Sequence, residues 1–393
     1  MIAHPSHKVV VIGGGYAGSI AANRLRKRDD VEITLVNPRP AFVDRIRLHQ
    51  FAAGTGEATL DYGELLGEGV DLVVDSATRI DAFARTVRLA SGRTLDYDYL
   101  VYAVGSTGAV PESVPGAAEF AVSIAELESA QRLRARLDEL RPDAPVTVVG
   151  GGLTGVETAA ELAERGRKVT LVCGGTLAPS LSGSARRSMA AWLSRHEVTV
   201  LQGDTVTEVR PDAVVFADGT VRASALVVWA AGFGAPELAS ASGLRTDELG
   251  RLITDETLTS IDDDRVVAAG DAAAPSGRPL RMSCQIAAPL GAQAAETVLS
   301  RIEGAAPAAI DVAFVGSCIS LGRNAGVRQF SRRDDTPLNV YFSGRLGAAY
   351  KEMTCRFGVS KIRREARKPG SMPWLKGGRP GSAASGTRAV TSS

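Results

Sequence analysis

The chain has 393 residues, of which 45% are hydrophobic and 23% charged, enough for two or three domains with cores of their own. A formal net charge of +1 gives no overall field that would attract nucleic acid. No segment reaches the roughly 18 consecutive apolar residues of a membrane-spanning helix. The first predicted strand begins near residue 8, which leaves no room for a signal peptide. The four cysteines are too far apart in the sequence for a disulfide framework or a zinc site. We therefore expect a cytoplasmic protein without a bound metal.

The first predicted unit is a phosphate-binding turn between a strand and a helix. The run "VVVI", residues 9–12, is typical of a buried parallel strand. Three glycines follow with the spacing G-x-G-x-x-G: Gly13, Gly15 and Gly18. This spacing permits a tight turn, lets a pyrophosphate approach the backbone and lets the helix pack closely on the strand. Tyr16 and Ala17 lie at the start of the helix, whose N–H groups would face the phosphates, and residues 31–37 complete a βαβ unit.

A second copy of this turn follows at "VTVVGGGLTGVE", residues 146–157. Its glycines have the same spacing: Gly150, Gly152 and Gly155. Leu153 and Thr154 begin the helix, and "KVTLVC" supplies the next strand. Two complete units imply two dinucleotides. The usual pair is a bound flavin and a nicotinamide, because a hydride must pass between them.

Three further strands end in turns of small residues. They are "YLVYAVGS" (99–106), "LVVWAAGF" (226–233) and "RVVAAGDAAA" (265–274), with turn glycines Gly105, Gly232 and Gly270. Asp271 follows the last of these glycines and can accept a hydrogen bond from a ribityl hydroxyl, while the next helix start faces the pyrophosphate. The alternative for Asp271 is a simple helix N-cap.

Together with "FVDRIRLHQFAAG" (42–54), these motifs resemble the two-dinucleotide-binding flavoproteins of the pyridine nucleotide-disulfide oxidoreductase superfamily. Within them the chain is similar to the type II NADH dehydrogenases and the apoptosis-inducing-factor-like oxidoreductases. The resemblance implies an α/β fold with two Rossmann-like domains of the glutathione-reductase type and a small C-terminal α+β region. It implies FAD and NADH or NADPH as cofactors, with a hydride passing from NAD(P)H to FAD and two electrons passing on to a quinone or quinone-like acceptor.

Two other functions stay open: a reductase of a protein electron carrier, and an NADH-responsive redox-sensing binding protein. A dithiol mechanism is rejected, because the Cys-x-x-Cys or Cys-x4-Cys pair of many relatives is absent. Cys284 opens a segment expected near the flavin, but it has no resolving partner nearby in the sequence, and a small buried hydrophobic role is the alternative.

The motifs also predict the division of the chain. We expect a split FAD domain, an inserted NAD(P)H domain, a C-terminal α+β region and a disordered tail: 1–112 with 246–308, 113–245, 309–370 and 371–393. Each dinucleotide half includes short alternating strands that predict a small antiparallel sheet.

The C-terminal region carries strand-like segments and a predicted helix over 345–368. Its last part is basic and includes Trp374. Because the resembled dehydrogenases dock on membranes through this region, peripheral membrane contact is one interpretation; a solvated helix and a disordered end is the other. A homodimer is also an open expectation.

Several positions depart from the family pattern. Asn37 stands where an acid would hold the adenosine ribose, and Arg39 is a candidate for stacking on adenine. Cys173 stands at the matching position of the second unit, which leaves the choice between NADH and NADPH open. Near the expected quinone tunnel Gln285 is retained, whereas Pro289 replaces a second glutamine.

Glu157 and Gln285 are the candidates for chemistry beyond binding. The resemblance implies that Glu157 lies near the nicotinamide and the flavin, where it positions NADH or relays a proton; an acid that complements the helix dipole is the alternative. Arg45, Arg47 and His49 lie where the family runs past the flavin, and arginines there could stabilise a reduced, anionic flavin. For these three residues the alternative is a surface ion-pair cluster with Asp44.

Overall fold

Strands and helices alternate along most of the chain, as the repeated βαβ pattern predicts. The computed structural model describes residues 6–108, 110–277 and 280–378. In these residues the helices are α1 (Tyr16–Leu25), α2 (Leu48–Ala52), α3 (Ala117–Phe120), α4 (Leu127–Glu139), α5 (Leu153–Glu164), α6 (Gly183–Arg195), α7 (Leu238–Ala241), α8 (Cys284–Ile302) and α9 (Arg345–Arg367).

The strands of the described residues are β1 (His7–Ile12), β2 (Val31–Asn37), β3 (Ala41–Val43), β4 (Thr59–Asp61), β5 (Val70–Val74), β6 (Ala77–Asp81), β7 (Thr86–Leu89), β8 (Thr94–Asp96), β9 (Tyr99–Tyr102), β10 (Thr107–Gly108), β11 (Ala121–Ser123), β12 (Pro145–Val149), β13 (Lys168–Cys173), β14 (Thr199–Gln202), β15 (Val206–Val209), β16 (Ala213–Phe216), β17 (Val221–Ala223), β18 (Leu226–Trp229), β19 (Phe233–Gly234), β20 (Leu252–Thr254), β21 (Val266–Ala268), β22 (Ala273–Pro275), β23 (Gly316–Leu321), β24 (Ala325–Ser331) and β25 (Pro337–Ser343).

Two five-stranded parallel sheets form the two halves. The first has the order β21-β9-β1-β2-β5 and the second has the order β11-β18-β12-β13-β14. In each sheet the strand before a glycine-rich turn is central and almost wholly buried, because its β-branched residues pack on both faces. The predicted α/β fold with two Rossmann-like units is confirmed.

Each half also contains the small antiparallel sheet that the sequence predicts, β6-β7-β8 in the first and β15-β16-β17 in the second. The first large sheet takes strand β21 from beyond the second sheet in the chain. This order is what a split first domain requires, and we keep the boundaries given above as a proposal.

The C-terminal region corrects one expectation. Strands β23, β24 and β25 form an antiparallel sheet, and α9 packs against it and against α1 rather than lying free in solvent. The inner face of α9 carries buried residues, among them Lys351, Cys355 and Glu365. The sequence does not indicate that this face of α9 is buried, because the face mixes charged, small and apolar side chains.

The expected disordered tail is wrong for residues 371–378, and residues 379–393 lie outside the described residues. Met372 is buried, and the Trp374 indole N–H donates to the backbone oxygen of Asp311 at 3.0 Å. Arg24 of α1 lies over the Trp374 ring. These contacts anchor the segment after α9 to the first half of the molecule.

Candidate functional site

A cavity of about 530 Å³ opens beside the first glycine-rich turn and extends to the start of α5. We call it the inner cavity. It is lined by most of the residues expected to hold a cofactor in the first half, and by two residues of α5 from the second unit: Gly13, Gly15, Tyr16, Ala17, Asn37, Arg39, Arg45, Gly105, Gly270, Asp271, Thr154 and Glu157. The fold therefore brings the first glycine-rich turn and the start of α5 to one space.

The glycine geometry of both turns fits a pyrophosphate. A Cβ at Gly15 or Gly152 would meet no atom within 4 Å, so the space beside each helix start is open. A Cβ at Gly18 would lie 1.8 Å from the Gly13 oxygen, and one at Gly155 would lie 1.9 Å from the Gly150 oxygen. The third glycine of each motif is thus required for close packing of helix on turn, and the second leaves room for a ligand.

Both helices that follow these turns begin without a capping side chain. Gly15 and Gly152 are the N-cap residues of α1 and α5, and neither helix has a side-chain hydrogen bond at its cap. The first N–H groups of each helix are therefore available to phosphate oxygens, and the helix dipole favours negative charge there. The donor set fits two dinucleotides.

Asn37 and Arg39 keep the first turn in place. The Asn37 side chain accepts from the backbone N–H of Gly14 at 3.0 Å and donates to the backbone oxygen of Arg39 at 2.7 Å. The Arg39 guanidinium forms a bidentate pair with Glu128 of α4, with both N···O distances 2.6 Å. Arg39 thus lines the cavity while its charge is held by α4, so its expected stacking on adenine remains a prediction.

Arg45 brings a buried positive charge to the inner cavity. Its guanidinium donates to the backbone oxygens of Ser106 and Ala125, at 2.5 and 3.0 Å, and burial lowers its pKa. The Ser106 hydroxyl donates in turn to Asp271 Oδ2 at 2.7 Å. Asp271 lies within a short 3-10 turn and its other oxygen accepts from the Ser283 N–H, so it is not the simple helix N-cap considered above. Ser106 was missed by the sequence argument because nothing in its local pattern marks it.

Arg47 turns away from the inner cavity. Its guanidinium pairs with Asp44 at 3.3 Å and with both oxygens of Glu352 on α9. Asp44 also accepts from the Tyr16 hydroxyl at 2.5 Å and is almost fully buried. Burial raises the pKa of Asp44 against the opposing hydrogen bond from Tyr16. The ion-pair alternative holds for Arg47, although the pair is buried between the turn and α9 rather than on the surface.

Glu157 lies at the centre of a buried network. Its Oε1 accepts from the Lys351 ammonium at 2.8 Å and from the backbone N–H of Ser320 at 2.9 Å, and it lies 3.2 Å from the Ser320 hydroxyl. Burial acts to raise the pKa of Glu157, but the Lys351 charge, His49 and the hydrogen bonds from Lys351 and Ser320 together outweigh it and lower that pKa. The simple helix-dipole interpretation of Glu157 is therefore incomplete. Lys351 and Ser320 were missed, because they lie 194 and 163 positions along the chain and carry no motif.

Gln285 does not line the inner cavity, and its expected role on the acceptor side stays a prediction. Its carboxamide, oriented to satisfy both partners, donates to the backbone oxygen of Gly316 at 3.1 Å and accepts from the N–H of Val315 at 2.8 Å. The preceding Cys284 does line the cavity, and burial raises the pKa of its thiol to about 11. The local spacing that suggested Gln285 could not show that the C-terminal sheet would pair with it.

The second turn is tightly packed at its base. Gly150 adopts a φ of +134°, and a Cβ at Gly151 would lie 2.7 Å from the Cβ of Cys173. Cys173 is buried, which raises its pKa to about 11. The remaining residues expected in this cradle, Gly152, Leu153, Gly155 and Gly232, are not among those that line the inner cavity.

Comparison with known proteins agrees with this geometry. The family model described as pyridine nucleotide-disulphide oxidoreductase matches residues 7–294. The chain belongs to this family. It is an oxidoreductase, and the expected cofactors of the family, FAD and a pyridine nucleotide, are confirmed.

Two curated relatives illustrate the likeness. An NADH dehydrogenase-like protein of Mycobacterium tuberculosis (strain ATCC 25618 / H37Rv) is 33% identical over 350 residues, covering 81% of this chain and 87% of the relative. A type II NADH:quinone oxidoreductase of Staphylococcus saprophyticus is 27% identical over 376 residues, covering 85% of this chain and 92% of the relative. The resemblance to NADH dehydrogenases is thus confirmed.

Solved structures share the fold at lower identity. A sulfide:quinone oxidoreductase of Aquifex aeolicus superposes with a TM-score of 0.78 at 21% identity, covering 93% of each chain. The structure of NDH2 from Plasmodium falciparum in complex with NADH superposes with a TM-score of 0.74 at 16% identity, covering 94% of this chain and 100% of that one. Across the ranges described above, no helix has both the length and the apolar character needed to cross a bilayer.

Proposed function

We propose that this protein oxidises NADH and passes the two electrons to a quinone or a quinone-like acceptor. The observation that carries the proposal is the inner cavity, which is lined both by the first glycine-rich turn and by Thr154 and Glu157 of the second unit. The names of the curated relatives, NADH dehydrogenase-like protein and type II NADH:quinone oxidoreductase, support the same reaction.

The residues of the chain divide between the two dinucleotides. In the proposal the turn from Gly13 to Gly18 and the α1 N–H groups bind the FAD pyrophosphate, Asp271 accepts from its ribityl chain and Arg45 faces its reducible ring. The turn from Gly150 to Gly155 binds NADH, and Glu157 fixes the nicotinamide end. When bound, FAD supplies a two-electron carrier between NADH and the acceptor.

Glu157 is suited to orient a neutral group. In the described residues the Lys351 ion pair and the Ser320 hydrogen bonds are made by Glu157 Oε1, and in the proposal Oε2 faces the inner cavity that Glu157 lines. A carboxylate oxygen in that position accepts a hydrogen bond from a carboxamide such as that of nicotinamide. The paired Lys351 keeps the carboxylate ionised while it does so.

Cys173 does not by itself decide between NADH and NADPH. An acid at the end of β13 would repel a 2′-phosphate, whereas a buried cysteine neither repels nor binds it. We propose NADH as the donor, with NADPH accepted less well because no arginine stands directly after Cys173 to bind the additional phosphate.

Anaerobic rapid mixing of the FAD-loaded protein tests the proposal. Mixing with NADH is expected to bleach the flavin absorbance within milliseconds, and a later addition of a menaquinone analogue is expected to restore it. The same experiment with NADPH ranks the two donors. Bleaching without recovery would exclude quinone and favour a protein carrier or a sensor, and no bleaching with FAD bound would overturn the proposal as a whole.

We also propose that the outer face of α9 contacts an anionic membrane. Three large apolar side chains on it are exposed, Leu346 at 72%, Met353 at 56% and Phe357 at 59%, and their spacing of seven and four residues places them on one stripe. Exposed arginines flank the stripe, and Lys361 lies over the Phe357 ring. Apolar side chains bordered by cations favour an anionic lipid surface. Trp374, expected here from the sequence, is instead held in the fold by Asp311.

Replacing Phe357 by aspartate is expected to weaken binding to vesicles of anionic phospholipid by about tenfold, because burial of one phenylalanine contributes roughly 1.5–3 kcal/mol. Co-sedimentation with the vesicles measures this. Phe83, which is 99% exposed in the turn between β6 and β7, offers a matched control as Phe83→Asp. Equal losses in the two variants, or none in either, would contradict a specific membrane face. A homodimer remains a prediction.

A further inference from the structure

A second, polar cavity of about 250 Å³ lies on the other side of the Glu157 network. We call it the outer cavity. Its lining is mostly polar and includes Gln50, Arg323, Asn324 and Glu352. A space of this size with several polar partners holds water. Ser320 and Lys351 line the outer cavity, whereas His49 and Glu157 line the inner one, so these four residues form part of the wall between the two.

The four side chains are in continuous hydrogen-bond contact. His49 Nε2 lies 3.1 Å from Ser320 Oγ, which lies 3.2 Å from Glu157 Oε1, which lies 2.8 Å from Lys351 Nζ. His49 and Lys351 are 4% and 7% exposed. We propose that His49 and Ser320 relay a proton from the outer cavity to the electron acceptor in the inner cavity.

The proposal rests on the proposed function, because reduction of a quinone needs a proton from solvent. NADH supplies both electrons and one hydrogen as a hydride, so NADH, quinone and one solvent proton give NAD⁺ and quinol. In the proposal the acceptor binds in the inner cavity, and the buried side chains of Glu157 and Ser320 separate it from the outer cavity. A chain of groups that exchange protons through this wall therefore meets a requirement of the reaction.

The electrostatic surroundings keep His49 neutral. Burial first, and then the nearby charges of Lys351, Arg323 and Arg47, lower its pKa to about 4 against the opposing Glu157. A neutral imidazole carries one N–H and one free nitrogen, so it can give a proton at one nitrogen while it takes one at the other. A protonated histidine could not accept the incoming proton.

The step balances within the network. The N–H bond at His49 Nδ1 breaks as an O–H bond forms on the acceptor, and the electron pair of the broken bond stays on the ring. In this tautomer the Ser320 hydroxyl donates to His49 Nε2, and its proton moves along that hydrogen bond to form a new N–H bond. Ser320 lines the outer cavity, so water there returns a proton to its oxygen, and Lys351 and Glu157 keep their charges.

Other hydroxyl and thiol groups of the inner cavity are less suited to this task. The Tyr16 hydroxyl donates to Asp44, and burial holds its pKa well above the usual value. Cys284 has its pKa raised to about 11 by burial, and among the described residues no side chain of the Glu157 network is hydrogen-bonded to it. Neither group connects the inner cavity with the outer one.

The first test separates the two half-reactions in His49→Gln and Ser320→Ala. Flavin reduction by NADH is expected to match the wild type, whereas reoxidation by a menaquinone analogue is expected to be about 100-fold slower, the scale of general acid catalysis. Added imidazole is expected to restore reoxidation in His49→Ala.

His196→Gln is a matched control, because His196 stacks on Trp192 away from both cavities. Variants that are reoxidised as fast as the wild type would overturn the relay, whereas a wild type that quinone cannot reoxidise would overturn the proposed function.

The second test does not depend on an acceptor. Nuclear magnetic resonance of the oxidised protein with ¹⁵N-labelled histidine reports the tautomer and titration of each ring. His49 is expected to stay neutral down to about pH 4, and Ser320→Ala is expected to move the Nε2 resonance without moving that of His196. A His49 ring that titrates near its usual pKa, or a Nε2 signal that ignores Ser320→Ala, would contradict the hydrogen-bonded relay whatever the acceptor is.

Discussion

Replacing Gly152 by valine is expected to give a folded, yellow protein that NADH no longer reduces, whereas Gly15→Val is expected to give a folded protein without FAD. Neither position resists a side chain: a Cβ there meets no atom within 4 Å, and φ is −74° at Gly152 and −72° at Gly15. The open space beside each is where a pyrophosphate would approach the uncapped helix start. Loss of two hydrogen bonds to a charged phosphate costs about 3 kcal/mol or more, roughly 100-fold in affinity.

The flavin absorbance per protein and the rate of bleaching by NADH measure the two losses separately. Gly183→Val is a matched control, since Gly183 also begins a helix, its Cβ would meet only the end of the Arg187 side chain, and it is remote from the inner cavity. Gly13→Ala differs in kind, because φ is +99° there and a Cβ would lie 2.3 Å from the Ala103 oxygen. If the Gly152 variant were reduced by NADH at the wild-type rate, the second turn would not be the nicotinamide site.

Replacing Glu365 by alanine is expected to lower the free energy of unfolding by about 3–5 kcal/mol. Glu365 is fully buried, and its carboxylate accepts from Arg24 Nε and Nη2 at 2.6 and 3.2 Å and from the N–H groups of Gly370 and Met372 at 2.6 and 2.8 Å. Its removal leaves the buried charge of Arg24, which is 2% exposed, with the more distant Glu296 carboxylate at 3.6 Å in place of a bidentate partner. Two backbone N–H groups lose their acceptor at the same time.

Chemical denaturation of the FAD-loaded protein measures this loss. Glu64→Ala serves as control, because Glu64 forms the other ion pair of the same end of α9, with Arg363, and both side chains are substantially exposed. Exposed pairs contribute about 0–1 kcal/mol. If the Glu365 variant were as stable as the Glu64 variant, the contacts of α9 and residues 368–378 with Arg24 would not stabilise the first half.

Much of the fold could be predicted because its information is local. The β-branched runs before Gly13 and Gly150 specify central strands, and glycine spacing specifies the turns, so two βαβ units follow from segments of about 30 residues. The small antiparallel sheets followed from alternation and from turn pairs such as Asp218-Gly219, with Gly219 at φ +84°.

What the sequence could not predict are contacts between residues that are distant in the chain. Gln285 matched a local motif, but the C-terminal sheet, some 30 residues later, binds its carboxamide. Lys351 had the pattern of a surface lysine on a basic helix, yet the fold buries it against Glu157. A single charged residue carries no local signal of burial, because the counter-ion that permits burial can come from any other part of the chain.

The two buried ion pairs of α9 set an order on biosynthesis. Glu365 pairs with Arg24 of the first half, and Lys351 pairs with Glu157 of the second. Both halves leave the ribosome before α9 does, so each is made without the α9 partner of its buried charge. A nascent chain that stops before residue 345 has Glu296 beside Arg24, 3.6 Å away, and lacks the Lys351 ammonium beside Glu157. The two halves gain their α9 charge pairs only once α9 has been made, which gives quality-control proteases a thermodynamic difference between chains with and without α9.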